Sequence, residues 1–431
     1  MNKINIIGGG LAGSEAALQF ADNGWQVHLY EMRPQKMTPA HKTDKFAEIV
    51  CSNSFKSLLP SSPSGLLKAE MKILGCKLLQ IAQKFKVPAG SALAVDREKF
   101  SNYVTYLLEN NKNIKIIRDE FTDLDTDDLT VIATGPLTSD NLIEKLQNLI
   151  GQKQLYFFDA IAPIVNADSI DYSIVYKKSR YDKGDADYLN CPFTKEEYLS
   201  FVEALNKAEK HEAKEFENKF FKEINFNFYE NCTPIEELAR RGIDTLRFGV
   251  MKPVGLHLPN GKRPYAVIQL RAENKDKTAY NLVGCQTMLK YPEQKRIFRM
   301  IPGLENAEFL RYGSIHRNTY LNSPEILNSD LSLKTKKNIF IAGQLSGVEG
   351  YVESIFTGLL VYKIINEKLE KLPLETISGA LWQHLLTPRK NFQPMNANFG
   401  LLPPLKEKIK DKKKRKEAYY KRAIESLQKS I

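Results

Sequence analysis

The feature that most constrains this chain is a glycine-rich turn set between two apolar runs near its start. Residues 4–7 (INII) lead into Gly8, Gly9 and Gly10, and Leu11, Ala12 and Gly13 complete the spacing G-x-G-x-x-G. Ser14–Asp22 carries a helical pattern, and a second apolar run, Trp25–Tyr30, ends at Glu31, 18 residues past Gly13. Each part has a physical job. Gly8 permits a tight turn, Gly10 lets the backbone approach a pyrophosphate, and Gly13 lets the helix pack close on the strand. A diphosphate at the helix N-terminus meets free N–H groups and the positive end of the dipole, and Glu31 can accept hydrogen bonds from a ribose. The unit therefore predicts dinucleotide binding through Gly8, Gly9, Gly10, Leu11, Ala12, Gly13 and Glu31. The bland alternative is a glycine-rich turn in an empty doubly wound sheet.

Two more runs, 113–118 (NIKIIR) and 129–134 (LTVIAT), read as strands, the second ending in Ala133-Thr134-Gly135. The same logic returns late in the chain. A strand Ile339–Ala342 runs into Gly343-Gln344, followed by Gly350 and a helix over Val352–Leu369. Cofactor-type strand ends near the start, near 134 and near 343 imply a sheet interrupted by an insertion. The stretch between differs in character, with a charged helix Lys195–Lys222, an aromatic-rich Phe220–Tyr229 and an alternating Tyr265–Leu270, as in an α+β unit.

Composition narrows the class. The chain has 431 residues, 42% of them hydrophobic, enough for a sizeable core in two or three domains. No run of about 18 apolar residues suggests a membrane span, and Glu15 interrupts the apolar start, so it reads as a first strand rather than a signal peptide. Five scattered cysteines, with no C-x-x-C pair to suggest zinc, fit a reducing cytoplasm. The formal charge of +11 hints at a polyanionic partner. Leu405–Ile431 reads as one basic amphipathic helix, with KIKDKKKRK at 408–416, and Lys412, Lys413, Lys414 and Arg415 are its candidate phosphate contacts. A solvated helix face is the plainer alternative.

Two cysteines stand in polar settings. Cys51 lies in VCSNSFKS with Lys56 five positions on. Cys232 lies in YENCTPIEELARRG, just before a helix N-terminus whose dipole would stabilise a thiolate. Cys76, Cys191 and Cys285 read as structural. His316, Arg317 and Asn318 form a polar trio suited to a substrate pocket, with a hydrogen-bonded turn as the alternative. The polar–aromatic loop 391–404 is a further functional candidate.

The segments GGGLAGSEAA, VCSNSFKS, YLNCP, CTPIEELARRG, GKRPYAVIQLR, IHRNTYLNSP, AGQLSGVEGYVES and NFQPMNANFGLLPPL occur in this order. Over nearly its whole length the chain resembles the folate- and FAD-dependent RNA (uracil-5-)-methyltransferase family, TrmFO. The resemblance implies an α/β fold: a Rossmann-like FAD-binding domain of glutathione-reductase type in two parts, 1–165 and 305–431, interrupted by an α+β insertion at 166–304 for substrate and RNA. It implies FAD held at Gly8–Gly13, Glu31, Gly135, Gly343, Gln344 and Gly350, with 5,10-methylenetetrahydrofolate as carbon donor and NADPH or NADH as reductant. It implies methylation of uridine C5 in RNA, with the T-loop uridine of tRNA favoured over large-subunit rRNA, and neither membrane nor metal. Uracil C5 is a poor nucleophile until a thiolate adds at C6, so a thiol of lowered pKa is needed. The family pattern assigns that nucleophile to Cys232 and a base or partner role to Cys51. The uridine must also be splayed from its stack. A small-molecule flavin oxidoreductase is the competing class. It accounts for FAD but not for the cysteine pair or the basic tail.

Overall fold

The computed structural model describes residues 2–151, 155–182, 186–210, 233–390 and 392–431. Five parallel strands form the first sheet, in the spatial order Ile339–Ile341, Thr130–Ile132, Lys3–Ile7, Gln26–Tyr30, Ile114–Ile117. Ile4, Ile6, Val27, Leu29, Val131, Ile132, Ile339 and Ile341 are fully buried, because helices cover both faces. Helix Leu11–Asp22 packs along helix Tyr351–Glu367. Both are buried nearly all round, so neither shows a polar stripe. Their approach is backbone-close: a Cβ on Gly358 would fall on the Ala12 carbonyl. The chain leaves Lys3–Ile7 in one direction for Gln26–Tyr30 and in the other for Thr130–Ile132, so the topological switch point lies at the strand that feeds Gly8.

A six-stranded antiparallel sheet follows in the order Tyr176–Lys177, Tyr188–Phe193, Ala266–Ala272, Ala279–Val283, Ile164–Asn166, Phe309–Arg311. It has its own core, including Leu189, Phe193, Ile268, Leu282 and Phe298. Helix Lys195–Lys207 covers it through Tyr198, Phe201, Val202 and Leu205, and starts in a capping box of Thr194 and Glu197. The two sheets are joined by an antiparallel ribbon, in register from Leu155↔Tyr320 to Ile161↔Ser314. A small third sheet pairs Ser54–Ser57 and Lys86–Val87 with Ala92–Val95.

Two helices differ from the sequence reading. The charged helix expected over Lys195–Lys222 stops at Lys207. Ala208 turns extended (ψ 145°), the Glu209 carbonyl accepts the Lys290 N–H at 3.1 Å, and Lys210 bridges to Leu289. Strand-like pairing thus captures the chain where no local stop signal stands. Residues 211–232, with the aromatic run Phe220–Tyr229, lie outside the described residues. The tail helix runs over Lys412–Gln428 rather than from Leu405, because the Asp411 carboxylate accepts the Lys414 N–H at 2.7 Å and caps it there. Lys412, Lys413, Lys414 and Arg415 therefore form its exposed first turn instead of a stripe along one side. Only the second half is anchored. Ala423 and Leu427 are buried, Tyr419 stacks on Phe399 at 5.5 Å, and Arg422 donates to the carbonyls of Pro403 and Pro404.

Candidate active site

Three strand ends meet at one edge of the parallel sheet: Gly8, Thr134-Gly135 and Gly343. Gly8 has φ +98°, and a Cβ there would come within 2.7 Å of Thr134 Cα, so only glycine makes this turn. A Cβ on Gly13 would fall on the Gly8 carbonyl. Gly10 is the opposite case, since a Cβ there would meet no atom within 4 Å. Its missing side chain faces open space in front of the helix that starts at Leu11. The first intrahelical bond runs from Ser14 N–H to Gly10 O, which leaves the Leu11, Ala12 and Gly13 amides without intrahelical acceptors. Gly343 abuts that helix start, where a Cβ would come 3.2 Å from Ala12 Cβ, and its N–H donates to Thr357 Oγ1 at 2.6 Å. Gln344 opens a short turn and donates to Glu349. Gly135 (φ +71°) and Gly350 (φ +114°) both need the left-handed region, and a Cβ on Gly350 would fall between Glu353 and the Lys56 ammonium.

Glu31 lines a pocket with Gly8, Gly10, Tyr30, Arg33 and Thr134. Its carboxylate is already engaged. Oε1 accepts from Arg33 N–H (3.1 Å) and Nε (2.9 Å), and Oε2 accepts from Gly9 N–H (2.9 Å) and Arg33 Nη2 (3.1 Å). Burial alone would raise its pKa, but Arg33 and these N–H donors hold it below the usual carboxylate range. A carboxylate offers about four acceptor sites. The ribose contact expected of Glu31 therefore requires Arg33 to share or yield a bond. Arg33 was not singled out in the sequence, although it stands two residues away.

Cys51 sits half-buried near the same edge, and its peptide is clamped on both sides. Its N–H donates to the Tyr351 hydroxyl at 2.7 Å, from the first residue of the helix that follows the third strand end. Its carbonyl accepts from Arg97 Nη2 at 2.9 Å, while Arg97 Nη1 holds the Ile49 carbonyl at 2.9 Å and Nε pairs with Glu273 at 2.7 Å. Asn53 extends the brace. Its amide donates to the carbonyls of Val95 and Ala272 at 3.1 Å, and its Oδ1 accepts from Arg271 Nε at 2.9 Å. The cysteine loop is thus tied to strand Ala266–Ala272 of the second sheet. Farther along, Lys56 stands at φ +63° with its ammonium 3.2 Å from the fully buried Glu353, which also accepts the Ala397 N–H at 2.9 Å. Burial pushes the neighbouring Lys68 down to about 7. The loop 391–404 therefore meets the cysteine loop through Glu353, and it meets the third strand end where Glu349 N–H donates to the Met395 carbonyl at 2.9 Å.

His316, Arg317 and Asn318 lie on strand Ser314–Tyr320 of the ribbon, not on a turn. Asn318 is buried. Cys232 lies outside the described residues. Helix Ile235–Arg240 does begin just after it, with its start fixed by Ile235 N–H to Gln286 O (2.7 Å) and by Glu236, which accepts from Met288 N–H and Thr287 Oγ1. Cys76, Cys191 and Cys285 are fully buried, and burial raises each thiol.

The family described as Glucose inhibited division protein A matches residues 3–372. A methylenetetrahydrofolate-tRNA-(uracil-5-)-methyltransferase TrmFO of Aquifex aeolicus (strain VF5) is 54% identical, covering 100% of this chain and 96% of its own length. A protein of the same name from Bacillus subtilis (strain 168) is 52% identical, covering 99% of this chain and 98% of its own. Among solved structures, Aquifex aeolicus GidA superposes with a TM-score of 0.70 at 17% identity, over 99% of this chain and 72% of that one, a likeness of fold. With the match spanning both sheets and the relatives aligned from end to end, the chain belongs to the Glucose inhibited division protein A family, on its TrmFO branch.

Proposed function

We propose that this chain methylates C5 of a uridine in tRNA, taking the carbon from 5,10-methylenetetrahydrofolate, with FAD as bound carrier and NADPH or NADH as reductant. The observation that carries the reading is Cys51, a cysteine clamped between Tyr351 and Arg97 at the edge where three strand ends meet. The relatives named for this transfer, at 51–54% identity over nearly the whole chain, support the tRNA substrate, and neither the rRNA alternative nor the small-molecule oxidoreductase has comparable support.

The residues present fit a flavin dinucleotide. The open face of Gly10 and the amides of Leu11–Gly13 suit its diphosphate, the Glu31 pocket suits its adenosine side, and Gly135, Gly343, Gln344 and Gly350 line the facing strand ends. When bound, the flavin supplies electron transfer and a carrier position for the one-carbon unit. The protein's own work is thiol chemistry. Cys232 adds to uracil C6, C5 becomes the nucleophile toward the one-carbon unit, and Cys51 receives the C5 proton as the C6–sulfur bond breaks and Cys232 leaves as the thiolate. The separate core of the second sheet, whose strands reach from Ile164 to Arg311, supports an insertion slightly wider than 166–304, which we read as facing the RNA, with His316, Arg317 and Asn318 in the ribbon at its base. Lys412, Lys413, Lys414 and Arg415 supply phosphate contacts. Among the described residues no helix is long and apolar enough to cross a membrane, and with tRNA as substrate the enzyme acts in the cytoplasm.

The test supplies purified protein with FAD, isotopically labelled methylenetetrahydrofolate, NADPH and either a tRNA or a large-subunit rRNA fragment, and maps 5-methyluridine by mass spectrometry. Label is expected in the T-loop of tRNA. It should fall by orders of magnitude in Cys51→Ala and Cys232→Ala and persist in Cys76→Ala. Unlabelled tRNA, or label confined to rRNA, refutes the reading.

A further inference from the structure

We propose that Glu273 is a positioning residue for the reaction: acting through Arg97, it seats the peptide of Cys51 on the second sheet and so sets where the thiol stands. The inference rests on the reading of Cys51 as a residue of that reaction. Residues 48–52 lie in neither helix nor strand, so no ladder of backbone bonds fixes their path. Non-glycine residues in the left-handed region flank this stretch, Ala47 at φ +49° and Lys56 at φ +63°. Such backbone persists only where its surroundings over-determine it.

The surroundings here are one helix start and one strand end. Arg97 opens helix Arg97–Glu109, whose first turn is fixed by Asp96, a carboxylate that accepts the Lys99 N–H at 3.1 Å. Its guanidinium reaches three groups, the Ile49 and Cys51 carbonyls at 2.9 Å each and Glu273 at 2.7 Å from Nε. The guanidinium is a rigid planar fork, so holding its Nε edge aims the two nitrogens that hold the carbonyls. Glu273 directly follows strand Ala266–Ala272, and its own N–H donates to the Ala279 carbonyl at 2.9 Å, so its backbone belongs to the second sheet. The side chains of Arg97 and Glu273 are 18% and 6% exposed, which sets this pair apart from a solvated surface bridge. Glu273 Oε1 has no hydrogen-bond partner among the described residues, and Oε2 is spent on Arg97. Asn53 makes a second tie to the same strand end through the Ala272 carbonyl at 3.1 Å. Without Glu273, Arg97 loses the anchor that orients its plane. Without Arg97, two carbonyls of the cysteine segment lose their donor and Glu273 is left buried and unpaired.

The experiment measures tRNA methylation by Arg97→Met, Glu273→Leu and the double variant, per flavin-bound enzyme. Each single change should lower kcat by about 10²-fold, the cost of a displacement near 1 Å, and leave KM for tRNA unchanged. Glu273→Gln, which keeps an acceptor for Arg97, should recover part of the rate. Because Glu273 acts through Arg97, the double variant should match Arg97→Met within about twofold, whereas independent losses would multiply. The double variant strands no buried charge, and it replaces Arg97→Met if that protein loses flavin. A second readout needs neither RNA nor folate: alkylation of Cys51 by iodoacetamide at about pH 9, read on its peptide by mass spectrometry. In Glu273→Leu it should be roughly threefold faster or more, since a half-buried thiol reacts through local opening of its segment. A kcat near wild type in either single variant overturns the proposal, as do multiplied losses in the double variant or unchanged alkylation. A wild-type enzyme that methylates no tRNA, with Cys51 alkylation still responding to Glu273→Leu, refutes the function and leaves the seating of Cys51 standing.

Discussion

Replacing Lys412, Lys413, Lys414 and Arg415 together by alanine separates an RNA contact from a solvated helix face. Residues 405–431 hold eleven basic and four acidic residues, in a chain whose net charge is +11. The four targets form the first turn of helix Lys412–Gln428, all exposed, with no ion pair to them among the described residues. Cations at that end oppose the helix dipole, so removing them should stabilise the helix by a few tenths of a kcal/mol or more each. A loss of RNA affinity then cannot be blamed on unfolding. Successive residues point about 100° apart around a helix, so roughly two or three of the four can reach one backbone. Each lost phosphate contact lowers the slope of log K against log salt by about 0.7–0.9, or roughly 1.4–2.7 in all. Between 50 and 200 mM salt the wild type should therefore lose about 7- to 40-fold more tRNA affinity than the variant. Filter binding of tRNA at those two salt concentrations measures this, with flavin reduction by NADPH as the control that should not change. Equal slopes for the two proteins would refute the phosphate contacts and assign RNA recognition to the insertion.

Gly10→Val should fold, because its Cβ meets only open space, but should lose flavin, whereas Gly13→Ala should lose stability first, because its Cβ falls on the Gly8 carbonyl; flavin absorbance and melting temperature distinguish the two. Glu70, fully buried beneath the Ile377 and Ser378 N–H groups, is pushed up by that burial to about 7. Its contribution is therefore whole below pH 4.5 and is lost as pH rises through about 7, a change on the order of 3 kcal/mol. The melting-temperature advantage of wild type over Glu70→Gln should shrink between pH 5 and 7.5, and a constant gap would refute the assignment.

The glycine edge of the parallel sheet is legible in the sequence because its logic is local. Gly8, Gly10 and Gly13 sit within six residues of one another, and each of the three strand ends carries its own apolar run and glycine. The clamp on Cys51 was not legible. Arg97, Glu273 and Tyr351 come from positions 46 to 300 residues away, and Arg97 in the run DREK reads like any solvated helix start. Tyr351 and Glu353 stand in the run GVEGYVES, whose strand-end signal comes from its glycines. The end of the charged helix has the same origin, whereas the late start of the tail helix follows from a local signal, the Asp411 cap. Lys195–Lys222 contains no glycine or proline stop, so only the distant pairing at Leu289 and Lys290 shows where it ends.

The path of the chain through the first sheet also fixes an order in time. Strand Ile339–Ile341 pairs with Thr130–Ile132, each residue with one made 209 residues earlier. At about 5–20 residues per second, the ribosome leaves that strand uncovered for roughly 10–40 s. In this interval the antiparallel insertion emerges complete and can fold, and Leu155 and Tyr320 then close the ribbon at its base. The waiting edge is only three residues long, a poor template for wrong pairing. Gly343, Gln344, Tyr351 and Glu353 arrive last. A nascent chain therefore carries its Gly8–Gly13 segment long before the third strand end stands beside it, and the site proposed for the flavin is completed among the last events of synthesis.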